Sequence, residues 1–151
     1  MTAIRPALLD DTCSVAACVR AAYAGYVERI GREPAPMGAD YEALITAGAV
    51  WVAHDAGDVV GVLVLHALGD ALLIENVAVR PDRQGRGVGR ALMRFAEEHA
   101  RRAGLSEVTL YTNARMTENL RFYPALGYAE TGRGVQDGFD RVFYRKHLRS
   151  S

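Results

Sequence analysis

The stretch Ala71–Leu92, ALLIENVAVRPDRQGRGVGRAL, constrains the fold of this chain more than any other part of it. An apolar run ends at Val79, Pro81 and Asp82 interrupt it, glycines follow at Gly85, Gly87 and Gly89, and a helical repeat of apolar residues starts at once. The order is strand, glycine-rich turn, helix. A helix start leaves backbone N–H groups unpaired and carries the positive end of the helix dipole, so it attracts anions. Glycines let a phosphate come close to that backbone, and Arg83, Arg86 and Arg90 add positive charge around it. The stretch reads as a phosphate cradle.

Spacing separates the kinds of phosphate loop. A P-loop needs a lysine after its last glycine, and the one lysine of the chain, Lys146, lies far away. A dinucleotide fingerprint needs GxGxxG directly after the strand, whereas Leu92 stands where the third glycine would be and the strand ends well before the first.

The remaining sequence supplies one domain's worth of material: 151 residues, half of them hydrophobic, enough for one core. Eighteen basic residues balance eighteen acidic ones, so no global field draws the chain to nucleic acid or an anionic membrane, and any anion site must be local. No apolar run is long enough to span a bilayer, and no signal-like segment precedes the first charges, so a cytoplasmic, soluble protein is expected. Cys13 and Cys18 lie five apart on one expected helix, a poor disulfide geometry, and are expected to be reduced.

Periodicity predicts a strand at Ile4–Leu8 and a helix capped by Asp10 or Asp11 that runs to Tyr26. The run GREPAPMG, residues 31–38, is a loop that could act as a lid, and a short helix follows over Asp40–Ala47 with Gly48 at its end. Val50–His54 and Val59–His66 form a hairpin, and Ala71–Val79 extends it to a meander. The helix after the cradle carries Val88, Leu92, Phe95, Ala96, His99 and Ala103 inward, with Glu97/Arg101 and Glu98/Arg102 as outer pairs. A strand at Glu107–Thr112, a helix at Glu118–Leu126 opened by Thr117, and a hairpin of Tyr128–Arg133 and Phe139–His147 complete the chain. The helical crossover makes the strands around it parallel and the tight turns make the others antiparallel. The expected class is α/β: a mixed, mostly antiparallel sheet of about seven strands flanked by four helices, in a single domain spanning residues 1–151.

Gln84, Gly87 and Gly89 form Q-x-x-G-x-G after VAVRP and before RAL, and this resembles motif A of the Gcn5-related N-acetyltransferase (GNAT) superfamily. NLRFYPALGY, Asn119–Tyr128, is similar to the family's other recurring segment, and the element order is that of the GNAT fold. The resemblance covers essentially the whole chain. It implies acetyl-CoA as co-substrate, with no metal: pyrophosphate on the backbone amides of Arg86, Gly87, Val88, Gly89 and Arg90, supported by Arg83, Gln84 and Gly85, and pantetheine along Val77, Ala78 and Val79. Tyr123 matches the family's proton donor to the departing thiolate, and Asn119 stands one turn before it. Pro124 directly follows Tyr123 and removes a backbone bond to Leu120, which could re-aim the phenol.

Glu75 is a lone carboxylate in an apolar strand, costly to bury without a partner or role. It is the candidate base, with His66, His54 or a water as alternatives, and a backbone N–H near Asn76 or Val77 would stabilise the oxyanion. Acceptor contacts are expected from Tyr23, Tyr26, Arg29 and Glu33 at the first helix and loop and from Arg133 beside the VQDGFD turn. The expected function is N-acetyl transfer to a primary amine, of a small molecule or peptide, by direct attack in a ternary complex. Two other classes stay open, a non-catalytic acyl-CoA-binding or sensing module and a nucleotide-binding enzyme, and so does a homodimer.

Overall fold

The computed structural model describes residues 2–148. Its sheet has seven strands in the order β1-β2-β3-β4-β5-β7-β6, with ranges β1 Ala3–Pro6, β2 Val50–Asp55, β3 Asp58–Leu68, β4 Ala71–Val79, β5 Glu107–Asn113, β6 Ala129–Gln136 and β7 Phe139–His147. The expected mixed sheet is present: β4 and β5 are parallel, while β1 with β2, β2 with β3, β5 with β7 and β6 with β7 are antiparallel. The four expected helices are α1 (Thr12–Tyr23), α3 (Tyr41–Thr46), α4 (Val88–Arg102) and α5 (Asn119–Ala125), and α2 (Val27–Ile30) is a single turn. Among the described residues, none of the helices is long and apolar enough to cross a membrane.

The chain divides into two compact units, the first running to Leu65 and including Asn76–Phe95, the second comprising His66–Glu75 and the chain from Ala96 onward. In the first, Val15, Cys18 and Val19 of α1 and Tyr41 and Ile45 of α3 pack with Val52, Val62, Val64 and Ala78 of the strands. Gly61 of β3 lets α4 come close: a Cβ there would sit 3.0 Å from Leu92 Cδ1 and 3.1 Å from Val88 Cγ1. In the second unit, Leu72, Ile74, Val108, Leu110 and Val142 are buried together with Ala96 and Ala100 of α4.

Several local expectations shift. α1 ends at Tyr23, and a 3-10 turn over Ala24–Tyr26 leads into α2, closed by Gly31 at φ 86°. Asp11 occupies the N-cap position of α1, but its carboxylate instead accepts from Arg5 (2.7 and 3.0 Å) and from the Leu8 amide (2.7 Å). Asp40 does cap α3, accepting from Ala43 N at 3.1 Å. Thr117 does not open α5; the N-cap position is Glu118, whose side chain does not cap the helix. On α4, Met93 and Ala100 are buried while Ala103 is exposed, because the helix ends at Arg102. Glu97 is not an outer pair with Arg101. It is buried, accepts from Tyr128 Oη at 3.1 Å and pairs with Lys146 Nζ at 2.9 Å, and Arg101 bonds Glu98 instead. Both cysteines are free thiols, and burial pushes the Cys18 thiol up to about 11.

Candidate acyl-CoA and acceptor sites

The glycine-rich turn belongs to the first unit. After β4 the amide of Arg80 bonds Val60 O at 2.9 Å, a 3-10 turn covers Pro81–Arg83, and Gln84 Nε2 donates back to Val79 O at 3.3 Å. The turn is therefore held against the strand end at Arg80 and Gln84. Gly85 and Gly87 have φ of 77° and 84°, a left-handed backbone that side chains disfavour, and a Cβ on either would meet nothing within 4 Å. The space above them is open. The first intrahelical bond of α4 runs from Ala91 N to Gly87 O at 3.0 Å, so the amides ahead of Ala91 have no carbonyl partner inside the helix. Val88 is buried and pins this helix start, while Gly89 lies within its first turn.

The arginines divide in their engagements. Arg83 is bound to Asp55 at 2.6 Å, holding that carboxyl below its usual range, and Arg80 is bound to Asp82 at 2.6 and 3.0 Å. Arg86 and Arg90 are exposed and enter no ion pair among the described residues. A diphosphate fits this arrangement: unpaired amides, two glycines without overhead atoms, and two uncommitted cations.

Also in the first unit, Asn76 of β4 is 4% exposed and fully engaged. Tyr23 Oη donates to Asn76 Oδ1 at 2.6 Å and lies 3.3 Å from Val77 O, and Asn76 Nδ2 donates to Tyr41 Oη at 3.2 Å. Tyr41 in turn donates to Pro36 O at 2.6 Å, tying the GREPAPMG loop to the strand, and Arg20 reaches Met37 O at 3.3 Å from α1. Tyr23 thus serves the backbone beside Val77. Tyr26 lies under the Arg29 guanidinium at 5.0 Å and tilts against Tyr23 at 6.5 Å, while Glu33 faces Arg20 at 3.8 Å. Tyr41 and the side-chain role of Asn76, named ahead only for a nearby backbone N–H, escaped sequence reasoning; an amide next to Glu75 in an otherwise apolar strand was the available signal.

In the second unit the parallel ladder of β4 with β5 runs over Ala71–Ile74 against Glu107–Leu110. Glu75 follows the last paired residue, with His66 Nε2 at 3.5 Å from its Oε1. Tyr111 of β5 also senses Glu75: burial first, and then the glutamate, lift its phenol above the ordinary range, and Arg141 works against that lift.

Tyr123 lies on α5 and is 5% exposed. It is set among Phe122, Tyr144 and Tyr128 at ring separations of 5.2, 5.8 and 6.2 Å. Burial, reinforced by Glu97, raises the Tyr128 phenol, and burial raises that of Tyr144, so both neighbours stay protonated at neutral pH. Pro124 does not end α5. The amides of Leu126 and Tyr128 bond Tyr123 O and that of Gly127 bonds Pro124 O, which closes the helix just past the proline. Asn119 spends its side-chain amide on β5 and the turn after it, donating to Thr112 Oγ1 at 3.0 Å with Met116 Sδ at 3.7 Å. Arg133 is exposed and clasped to Glu130 at 3.0 and 3.2 Å, beside Val142 in the ladder. Among the described residues, no three His, Cys, Asp or Glu side chains gather as a metal site.

Residues 46–130 match the Acetyltransferase (GNAT) domain family. N-acetyltransferase family 8 member 3 of Rattus norvegicus is 32% identical over 88 residues, covering 54% of this chain and 39% of the relative. Aminoalkylphosphonate N-acetyltransferase of Salmonella typhimurium is 33% identical over 84 residues, covering 50% of this chain and 53% of the relative. The chain therefore spans about half or less of the length of these curated relatives. The PaiA N-acetyltransferase of Thermoplasma acidophilum, solved in complex with coenzyme A, shares the fold with a TM-score of 0.78 at 19% identity, over 98% of this chain and 99% of that one. With the family matched over more than half its length, and the strand, glycine turn and helix in place, this chain belongs to the GNAT acetyltransferases.

Proposed function

We propose that the chain is a single acetyltransferase domain that moves an acetyl group from acetyl-CoA to a primary amine. The observation that carries this reading is the open, amide-lined turn at Gly85–Arg90, where no protein atom fills the space over Gly85 and Gly87 and a pyrophosphate could sit. The backbone of Val77–Val79 would accept the pantetheine arm as an added strand. Tyr23 would hold that backbone in place from α1, through the Asn76 side chain and Val77 O.

In this reading Glu75, with His66 beside it, draws the proton from the acceptor ammonium, directly or through a water. The free amine attacks the thioester carbonyl, and an amide N–H near Asn76 or Val77 takes the negative charge that develops on its oxygen. Tyr123 gives its phenolic proton to the departing thiolate. A C–N bond forms and a C–S bond breaks, and the second proton shed by the attacking nitrogen, passed through water, restores the Tyr123 phenol.

The test is acetyl-CoA affinity in wild type and Gly87→Val. Gly87→Val both fills the open space and strains a backbone held at φ 84°, so lost affinity without lost fold would tie the cofactor to this turn. Equal affinity in both proteins would remove the turn from the cofactor site.

A further inference from the structure

The register of the second unit sets a group of chemically distinctive side chains on one sheet face. Leu73 is opposite Thr109, Thr109 opposite Arg145, Tyr111 opposite Phe143, and Asn113 opposite Arg141, so these residues and Glu75 share a face by strand alternation. A cleft of about 340 Å³ opens there, lined by Leu73, Thr109, Tyr111, Gln136 and Phe143 among others. Arg141 stands behind two of these. Its Nη1 donates to Gln136 Oε1 at 2.6 Å, and its guanidinium lies 4.3 Å over the Tyr111 ring and 5.8 Å from that of Phe139.

Arg141 is 7% exposed, and no carboxylate lies within ion-pair distance of it among the described residues. Five other arginines show the reverse. Arg5, Arg80, Arg83, Arg101 and Arg133 are all more exposed, and each is paired with a carboxylate at 3.0 Å or less. A guanidinium removed from water costs several kcal/mol unless charge compensates it, and stacking on a tyrosine offsets part of that. The strand beside it adds room: Gly134 is opposite Arg141 and Gly132 opposite Phe143. Neither glycine has a positive φ, a Cβ on Gly132 meets nothing, and one on Gly134 meets one ring atom of Phe143 at 4.0 Å. The backbone does not need glycine there; the absence of side chains keeps the face open.

We propose that Arg141 is the oxyanion subsite of the acceptor cleft, and that the acceptor is an amine bearing a carboxylate or phosphate group. This rests on the acetyl-transfer reading above. Tyr111 feels both charges: Arg141, 4.3 Å over its ring, opposes the lift that Glu75 gives its phenol, with Asp137 of the β6–β7 turn adding to the acidic influence. Arg145, on the same face, is 3.3 Å from Glu107 and so largely compensated, and His66 accompanies Glu75. A zwitterion would put its ammonium toward Glu75 and its oxyanion on the Arg141 guanidinium, with Tyr111 under the link.

The experiment compares β-alanine, O-phosphoethanolamine and propylamine as ligands, by calorimetry on the CoA-saturated protein and by kcat/KM with acetyl-CoA. Wild type is expected to favour at least one anionic probe over propylamine by about tenfold or more, the worth of one charge-assisted bond pair. Arg141→Gln should collapse that preference through KM and dissociation constant, with Arg141→Lys restoring part of it. Gly134→Leu, which fills the space facing Arg141, should weaken the anionic probes and carries the test if Arg141→Gln does not fold. The better of the two anionic probes identifies the oxyanion as carboxylate or phosphate. No preference in wild type, or a preference that survives both variants, overturns the subsite. Anionic preference in binding without any acetylated product would leave the subsite standing and overturn acetyl transfer instead.

Discussion

His66 Nε2 sits 3.5 Å from Glu75 Oε1 and is the one buried side-chain polar atom without a hydrogen-bond partner among the described residues. The carboxylate it faces is the candidate base. A pair at this distance, with the imidazole nitrogen otherwise unspent, is ready to tighten when an ammonium or a water arrives. Glu75→Gln, which keeps shape and removes basicity, is expected to lower kcat by about a hundredfold or more with acetyl-CoA affinity retained. His66→Asn should lower kcat less. Steady-state kinetics alongside cofactor titration checks both, and unchanged kcat in Glu75→Gln would move the base elsewhere.

Tyr123→Phe removes one hydroxyl from a buried aromatic cluster and leaves every ring contact in place. Turnover is expected to fall by roughly tenfold to a thousandfold, while the cofactor dissociation constant changes little. Rapid-quench single-turnover measurement is the check, because it isolates acetyl transfer from product release. A variant as fast as wild type would remove the phenol from the chemistry.

Gly61→Val is a purely structural prediction. Its Cβ alone would meet Leu92 Cδ1 at 3.0 Å, Val88 Cγ1 at 3.1 Å and Ala53 Cβ at 3.3 Å, so α4 must give way. The expected loss is about 1–3 kcal/mol by urea denaturation, the usual range for overpacking.

Asp11 gives a pH signature. Its bonds from Arg5, above all, hold its carboxyl below the ordinary carboxylate range, with the Leu8 amide helping. A depressed pKa stabilises the fold above the unfolded value near 3.8 and loses that contribution as pH falls through the lower folded value. Asp11→Asn is therefore expected to cost about 1 kcal/mol at pH 7, since Arg5 is partly exposed, and the gap to wild type should close below about pH 4. Denaturation midpoints across pH 3–8 test it.

What could be read ahead of the structure followed local punctuation. The turn after Val79 was legible because proline and glycines break the period at fixed offsets before a new helical period begins, and both terminal hairpins were legible for the same reason. Partners brought in from far along the chain were not. Glu97 and Arg101 have the spacing of a surface pair, and only Tyr128, just ahead of β6, and Lys146 on β7 turn Glu97 inward. Asp11 looks like a cap until β1 places Arg5 beside it. Tyr23, expected near an acceptor, is drawn to β4 by Asn76, and Arg141 is one charge in an alternating strand until its register sets it over Tyr111.

The most direct test is release of free coenzyme A from acetyl-CoA, measured by thiol titration over a panel of primary amines, with the product weighed by mass spectrometry. Amine-dependent thiol release with a matching gain of one acetyl group on the amine is the expected result. Tight acetyl-CoA binding with no acetylated amine anywhere in the panel would contradict acetyl transfer and leave a cofactor-binding module in its place.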